Sequence, residues 1–281
     1  MERKLKFDEI GYWSEIKLDI IREYASTYSK ILSSQKNPEL YHIYIDAFAG
    51  AGIHVSKSTG GFISGSPVNA LSVNPPFKEY HFIDLDELKI DSLENIAGTR
   101  EDVFTYHGDC NSILHEKVFL RARYKDYRRA LCILDPYGLH LNWEVLCEAG
   151  QMGSIDIFLN FPVADINRNV LWKNPDGVSR LQIERMNIFW GDASWRNIAY
   201  TESPQMQLFG DSSEEKAPNE IISKAYRKRL KDVAGFKNVP KPIAMRNTQN
   251  VVVYYLFFAS QKPVAGGIVK DIFKKYSERD G

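Results

Sequence analysis

The stretch YHIYIDAFAGAG, Tyr41 to Gly52, decides the fold. Its first eight residues are dense in β-branched and aromatic side chains, the composition of a buried strand. The strand runs straight into a glycine-rich loop, Gly50 to Gly65, and glycine lets a backbone turn sharply and approach a ligand closely. Downstream the unit repeats. Ser66-Pro67 opens a helix, with Ser at the N-cap and Pro at the first helical position. Glu79 to Asp84 (EYHFID) reads as a second strand, followed by a helix carrying Leu88, Leu93 and Ile96. Val103 to His107 is a third strand, with a helix over about Ser112 to Tyr124. Ala130 to Asp135 (ALCILD) is a fourth, with a helix capped by Asn142 and running to about Ala149. Ser154 to Phe161 (SIDIFLNF) is a fifth. Upstream, Trp13, Ile16, Ile20, Tyr24, Tyr28 and Ile31 recur every three or four residues. They predict an amphipathic N-terminal helix over about 13–35, with Pro38 ending the region.

Successive strand–helix units predict an α/β fold: a mostly parallel sheet with helices on both faces. The alternation stops after Phe161. Residues from about 163 to 218 are rich in Trp, Asn, Asp and Ser and show helical pieces but no strong strand. They read as an α-rich lid inserted into a single domain spanning 1–281. Asn219 to Val233 reads as a basic helix. Pro242 to Thr248 and Val251 to Ser260 form a hairpin around Gln249-Asn250, which adds an antiparallel edge strand and brings the sheet to seven. A last helix runs from about Pro263 to Tyr276.

The chain has 281 residues with 36 Lys plus Arg and 36 Asp plus Glu, a net charge of zero that excludes a histone-like or tail-like nucleic-acid binder. Hydrophobic residues at 44% and charged residues at 26% are the usual values for a globular protein. Cys110, Cys132 and Cys147 make neither a disulfide framework nor a zinc site, and the six His residues show no metal-ligand spacing. No metal is expected, and the thiols suit a reducing cytoplasm. The start, MERKLKFDEI, lacks an apolar signal-peptide core. The longest apolar run, Val251 to Ala259, is about half a membrane span, so no membrane association is expected.

In open sheets of this kind the ligand lies beyond the carboxyl ends of the strands. The first strand ends Asp46-Ala47-Phe48-Ala49-Gly50-Ala51-Gly52. A dinucleotide fingerprint would place a third glycine at position 55, which is Val55. The second strand ends Asp84-Leu85-Asp86, where one carboxylate can accept both hydroxyls of a ribose and the other can cap the next helix; Asp84 is assigned to the ribose. The third ends Gly108-Asp109-Cys110, where Asp109 either accepts an exocyclic amine or makes a plain Asx-turn. The fourth ends Asp135-Pro136-Tyr137-Gly138. There Asp is an acceptor, Pro leaves carbonyls free, and Tyr offers a face on which a ring stacks.

Four such strand ends in this order resemble a class I S-adenosylmethionine-dependent methyltransferase, with a Rossmann-like sheet. The cofactor-binding candidates are Asp46, Phe48, Gly50, Gly52, Asp84, Leu85, Asp109 and Cys110, and the catalytic candidates Asp135, Pro136 and Tyr137. A closer resemblance, to the three-Cys-motif partner family TcmP, rests on W-S-E-I-K-L (Trp13 to Leu18), Y-I-D-A-F-A-G-A-G (Tyr44 to Gly52), G-S-P (Gly65 to Pro67), L-D-P-Y-G (Leu134 to Gly138) and Y-Y-L-F-F-A-S (Tyr254 to Ser260). It implies a partner protein carrying a three-cysteine motif. The D-P-Y-G element also resembles motifs of methyltransferases that act on amino groups of nucleic-acid bases, although their commoner form is D-P-P-Y. These resemblances imply S-adenosylmethionine as cofactor and DNA or RNA as substrate. The alternatives are an accessory subunit that keeps the fold to position a partner, and a nicotinamide oxidoreductase, which Val55 disfavours.

Two basic runs, Arg121 to Arg129 and Lys224 to Lys231, suit either a phosphate backbone or a solvated face. Trp172, Trp190 and Trp195, interleaved with arginines, suit base stacking or the small core of the lid, and the lid core is favoured.

Overall fold

The computed structural model describes residues 5–37, 39–202 and 214–278. Pro38 and residues 203–213 of the expected insertion lie outside the described residues. In chain order the elements are β1 (Glu9–Ile10), α1 (Tyr12–Ser33), β2 (Tyr41–Asp46), β3 (Ile53–Ser56), β4 (Phe62–Ser64), α2 (Ser66–Leu71), β5 (Glu79–Asp84), α3 (Glu87–Ala97), β6 (Val103–His107), α4 (Cys110–Ile113), β7 (Arg128–Leu134), α5 (Trp143–Met152) and β8 (Ile155–Phe161). Then come α6 (Val163–Asn169), α7 (Arg180–Trp190), α8 (Trp195–Ala199), β9 (Tyr200–Glu202), β10 (Glu214–Lys216), α9 (Asn219–Asp232), β11 (Ile243–Arg246), β12 (Val252–Ala259) and α10 (Pro263–Ser277).

Seven strands form the main sheet in the order β6-β5-β2-β7-β8-β12-β11. Neighbours pair in parallel except β12, which is antiparallel to both β8 and β11. This is the mostly parallel seven-stranded sheet that the strand–helix alternation and the closing hairpin predict. The hairpin is placed differently from the sequence reading: its antiparallel strand is not the edge. β12 inserts between β8 and β11, and its apolar run is buried along its length, as in a strand covered by helices on both faces. The four-residue β11, with Arg246 exposed, takes the edge.

Each face of the sheet carries its own core. Helices α1, α2, α3 and α10 cover one, with Ile20, Tyr24, Phe77, Phe158 and Phe258 buried between. Helices α4 to α9 cover the other, around Leu146, Phe161, Trp190, Tyr226 and Phe257. Trp190 and Trp195 are buried in that core, in one cluster with Phe161 and Phe257 of the sheet, whereas Trp172 is exposed.

Local differences from the sequence reading are small. Gly65, not Ser66, is the N-cap of α2. The helix after β6 is a short α4 that loosens into a π turn, Leu114–Val118, and 3-10 turns. The glycine-rich loop contains β3 and β4, which pair with each other, and β3 also pairs with β1. Within the insertion, β9 and β10 form a short antiparallel pair.

The first basic run proves partly committed. At the amino end of β5, Glu79 accepts Arg121 Nε and Nη2 at 2.8 and 2.7 Å, Arg128 Nη1 at 3.1 Å and His81 Nε2 at 3.1 Å. Burial by itself would raise the Glu79 carboxyl, but these hydrogen bonds reverse it and hold the group well below the usual carboxylate range. Glu79→Gln should cost about 2–3 kcal/mol in urea unfolding at pH 7, the worth of charged hydrogen bonds to guanidiniums that partly reach water. Because the folded pKa is depressed, that contribution is present above about pH 4.3 and lost as pH falls below it.

Candidate active site

The order of strands reverses at β2, so the crevice lies beyond the carboxyl ends of β2 and its neighbours. Two cavities open there. The first, about 440 Å³, is lined by Phe48, Asp84, Leu85, Asp109, Cys110, Tyr137 and His140, with Arg185 and Ile188 from α7. The second, about 380 Å³, is lined by Lys17 and Trp13 of α1, Asp8, Phe48, Gly50, His54, Asp135, Pro136, Tyr137, Asn160 and Tyr254. Phe48 and Tyr137 line both, so a ligand that fills the first ends where the second begins.

Asp84 organises the loop of the first cavity. Its Oδ2 accepts the Gly50 amide at 2.9 Å and its Oδ1 the Asp86 amide at 2.9 Å. The Gly50 N–H is therefore spent on a carboxylate rather than presented to a phosphate, and each carboxylate oxygen keeps a lone pair for a hydroxyl. Asp86 caps α3 through the Leu88 amide, as assigned. Asp109 caps α4 through the Asn111 amide, as the turn reading has it, and also lines the cavity. Cys110 is buried beside it, and burial pushes its thiol up to about 12, a packing role rather than a reactive one. Leu85 and Ile188 are exposed apolar side chains on this cavity wall, which a flat ring would cover. Adjacent carboxylates, apolar walls and no amide cradle fit an adenosine bearing a cation, and S-adenosylmethionine is one.

Two of the cofactor candidates stand behind the wall. Gly52 has φ +81 and a Cβ there would sit 2.8 Å from Ile96 Cδ1, so the glycine lets the loop pack on α3. Asp46 is fully buried. Burial raises its pKa to about 7, against the Ser66 hydroxyl and the Phe48 amide, which donates to Oδ1 at 3.3 Å. The folded value exceeds the unfolded one of about 3.9, so the neutral carboxyl favours the fold below about pH 4. That contribution is lost as pH rises through about 7. Asp46→Asn should remove a loss of about 4 kcal/mol between pH 4 and 8. Urea unfolding at pH 5 and 8 checks it: the variant's gain on the wild type should be clearly larger at pH 8 than at pH 5.

The second cavity holds what the sequence reading missed. Lys17, buried on the apolar stripe of α1, donates to Asp135 Oδ2, and its ammonium lies 5.4 Å from the centre of the Tyr254 ring. A signal existed: Lys17 is four residues after Trp13, on the buried face, where a lysine needs a partner. Asp8 was also missed. Its Oδ2 takes Lys89 at 2.8 Å and the Tyr137 hydroxyl at 3.3 Å, drawing the N-terminal segment across the site. Tyr137 is 64% exposed, and the Lys89 ammonium lies 5.6 Å from the centre of its ring. Gly138, φ +64, closes the turn against Asp165.

No family model matches the chain, and no curated protein does. Solved structures do. Protein LPL1258 from Legionella pneumophila, assigned to the family model DUF519, aligns over 92% of this chain and 91% of its own, at 12% identity and a TM-score of 0.56. The likeness is one of fold. The CurJ carbon methyltransferase aligns over 87% of this chain and 54% of its own at 12% identity and TM-score 0.42. The trans-methyltransferase CalH in complex with SAH aligns over 86% and 57% at 12% identity and TM-score 0.37. No helix among the described residues is long and apolar enough to cross a membrane.

Proposed function

We propose that the chain is an S-adenosylmethionine-dependent methyltransferase acting on an exocyclic amine of a nucleic-acid base, in the cytoplasm. The observation that carries this is the junction of the two cavities at Phe48 and Tyr137: a carboxylate-lined, adenosine-sized cleft opens onto a pocket of aromatic rings and acceptors. Asp84 would take the ribose hydroxyls, and Asp109, Leu85 and Ile188 would surround the adenine. Bound S-adenosylmethionine would supply a methyl on sulfonium, with S-adenosylhomocysteine as the product that leaves.

The chain's own part is to prepare the amine. The lone pair of an exocyclic amine is spread into the ring, and acceptors on its hydrogens draw the nitrogen toward sp³ and localise that pair. Asp135 Oδ1 and the Pro136 carbonyl are such acceptors, while Lys17 fixes the carboxylate through Oδ2. With the methyl supplied by the bound cofactor, Asp135 would take the proton that the amine gives up on methylation and pass it to water. Tyr137 stacks the ring. A duplex base would be flipped out, at a few kcal/mol, and alignment of amine and methyl would supply ~7–11 kcal/mol. Helix α7 would act as a lid, since its Arg185 and Ile188 line the cleft.

A tritium-transfer assay against DNA, RNA and cell lysate, with and without a three-cysteine-motif partner, tests the reading. Label in nucleic acid supports it. Label in protein or small molecules alone moves the substrate elsewhere. Tyr137→Ala should raise KM for nucleic acid at least about tenfold, the worth of one stacked base. Tyr137→Phe should change it little, because stacking needs the ring.

A further inference from the structure

Among the described residues, two buried polar atoms of side chains that line the second cavity have no hydrogen-bond partner: Asn160 Oδ1 and His54 Nδ1. A buried amide oxygen left without a donor costs about 1–3 kcal/mol, so each such group calls for an explanation. The place of Asn160 supplies one. Leu134 of β7 pairs with Leu159 of the parallel β8, so the next residues along the two strands, Asp135 and Asn160, are neighbours on the same face. Both line the cavity that also holds Lys17 and Tyr254.

We infer that the Asn160 carboxamide reads the target base. Its Oδ1 takes one N–H of the amine, and its NH2 donates to the unprotonated ring nitrogen beside that amine. The inference rests on the base-methyltransferase reading. Asp135 Oδ1 and the Pro136 carbonyl then share one hydrogen of the amine, and Asn160 takes the other. An amine next to a ring acceptor is the edge presented by adenine and, in the same sense, by cytosine. Their deaminated counterparts, hypoxanthine and uracil, present the reverse: a carbonyl would face Oδ1 and a ring N–H would face the amide NH2. A site built around buried hydrogen-bonding groups rejects such a mismatch strongly, because its own groups are left unpaired. Asn160 is thus a specificity residue, distinct from Asp135, which localises the lone pair.

The test uses the full chain and single-stranded RNA and DNA oligonucleotides containing adenine or cytosine, with deaminated versions as competitors. Wild type, Asn160→Ala and Asn160→Asp are compared for kcat, KM, inhibition by the competitors, S-adenosylhomocysteine affinity and melting temperature. Asn160→Asp keeps an acceptor but turns the donor into a second acceptor. Both variants should lose about 10- to 100-fold in kcat/KM, mostly in KM, with S-adenosylhomocysteine affinity unchanged. In Asn160→Ala the deaminated competitors should approach the affinity of the amine-bearing strands. Variants that keep wild-type kcat/KM and wild-type discrimination would overturn the inference while leaving the methyltransferase reading intact. A wild type inert on every oligonucleotide would overturn the reading and the inference with it. Should Asn160→Asp not fold, Asn160→Ala carries both measurements.

Discussion

Asp135→Ala will lose methyl transfer by about 10²–10³-fold, the usual loss when one preorganised group is removed, while S-adenosylmethionine affinity falls much less. Asp135 lines the second cavity and not the first, so the adenosine-sized cleft is untouched. The variant also leaves Lys17 without its partner, with its side chain only 10% exposed. A buried charge without its counterion destabilises strongly, so Asp135→Ala alone should melt lower. The double variant Lys17→Met/Asp135→Ala separates the two effects. It should recover most of the lost melting temperature and none of the transfer. If Asp135-Pro136-Tyr137-Gly138 were only a rigid turn, transfer would track stability, and the double variant would recover both. An Asp135→Ala protein that is folded and active would remove this residue from the mechanism.

Asp84→Ala will weaken S-adenosylhomocysteine binding by at least about 100-fold, measured by calorimetric titration. Two charge-assisted hydrogen bonds to ribose hydroxyls would be lost, each worth about 1.5–3 kcal/mol, where 1.4 kcal/mol is tenfold. The Gly50 and Asp86 amides also lose their acceptor, which loosens the loop that shapes the cleft. Asp84→Asn keeps one acceptor oxygen and should fall between the two. Asp86→Ala should leave binding near wild type, since its carboxylate caps α3, and should cost about 1 kcal/mol of stability.

The carboxylates at the strand ends were legible because α/β topology dictates where they go. Once YHIYIDAFAGAG is a strand and loop, Asp84, Asp109 and Asp135 must gather at one edge of the sheet. Lys17, Asn160 and Asp8 were not legible by that logic. Each sits where local pattern assigns another role: a helix stripe, the interior of SIDIFLNF, a chain start. Only the three-dimensional pairing of β7 with β8, and the packing of α1 across their ends, brings them to Asp135. The burial of β12 on both faces was readable, but not its place in the sheet. Val251 to Ala259 is apolar without alternation, the mark of a strand enclosed on both sides, but adjacency in sequence says only that β11 and β12 pair, not which of them docks on β8. The basic run from Arg121 could not be apportioned from sequence. Its binding of Glu79 depends on β5 and β7 starting at the same end of the sheet, with β2 between them.

The most direct measurement of the central claim is calorimetric titration of the wild-type chain with S-adenosylhomocysteine and, separately, with NAD. The account predicts saturable one-site binding of S-adenosylhomocysteine, lost in Asp84→Ala and kept in Asp135→Ala, and no binding of NAD. Binding of NAD without S-adenosylhomocysteine, or binding of neither, would contradict it.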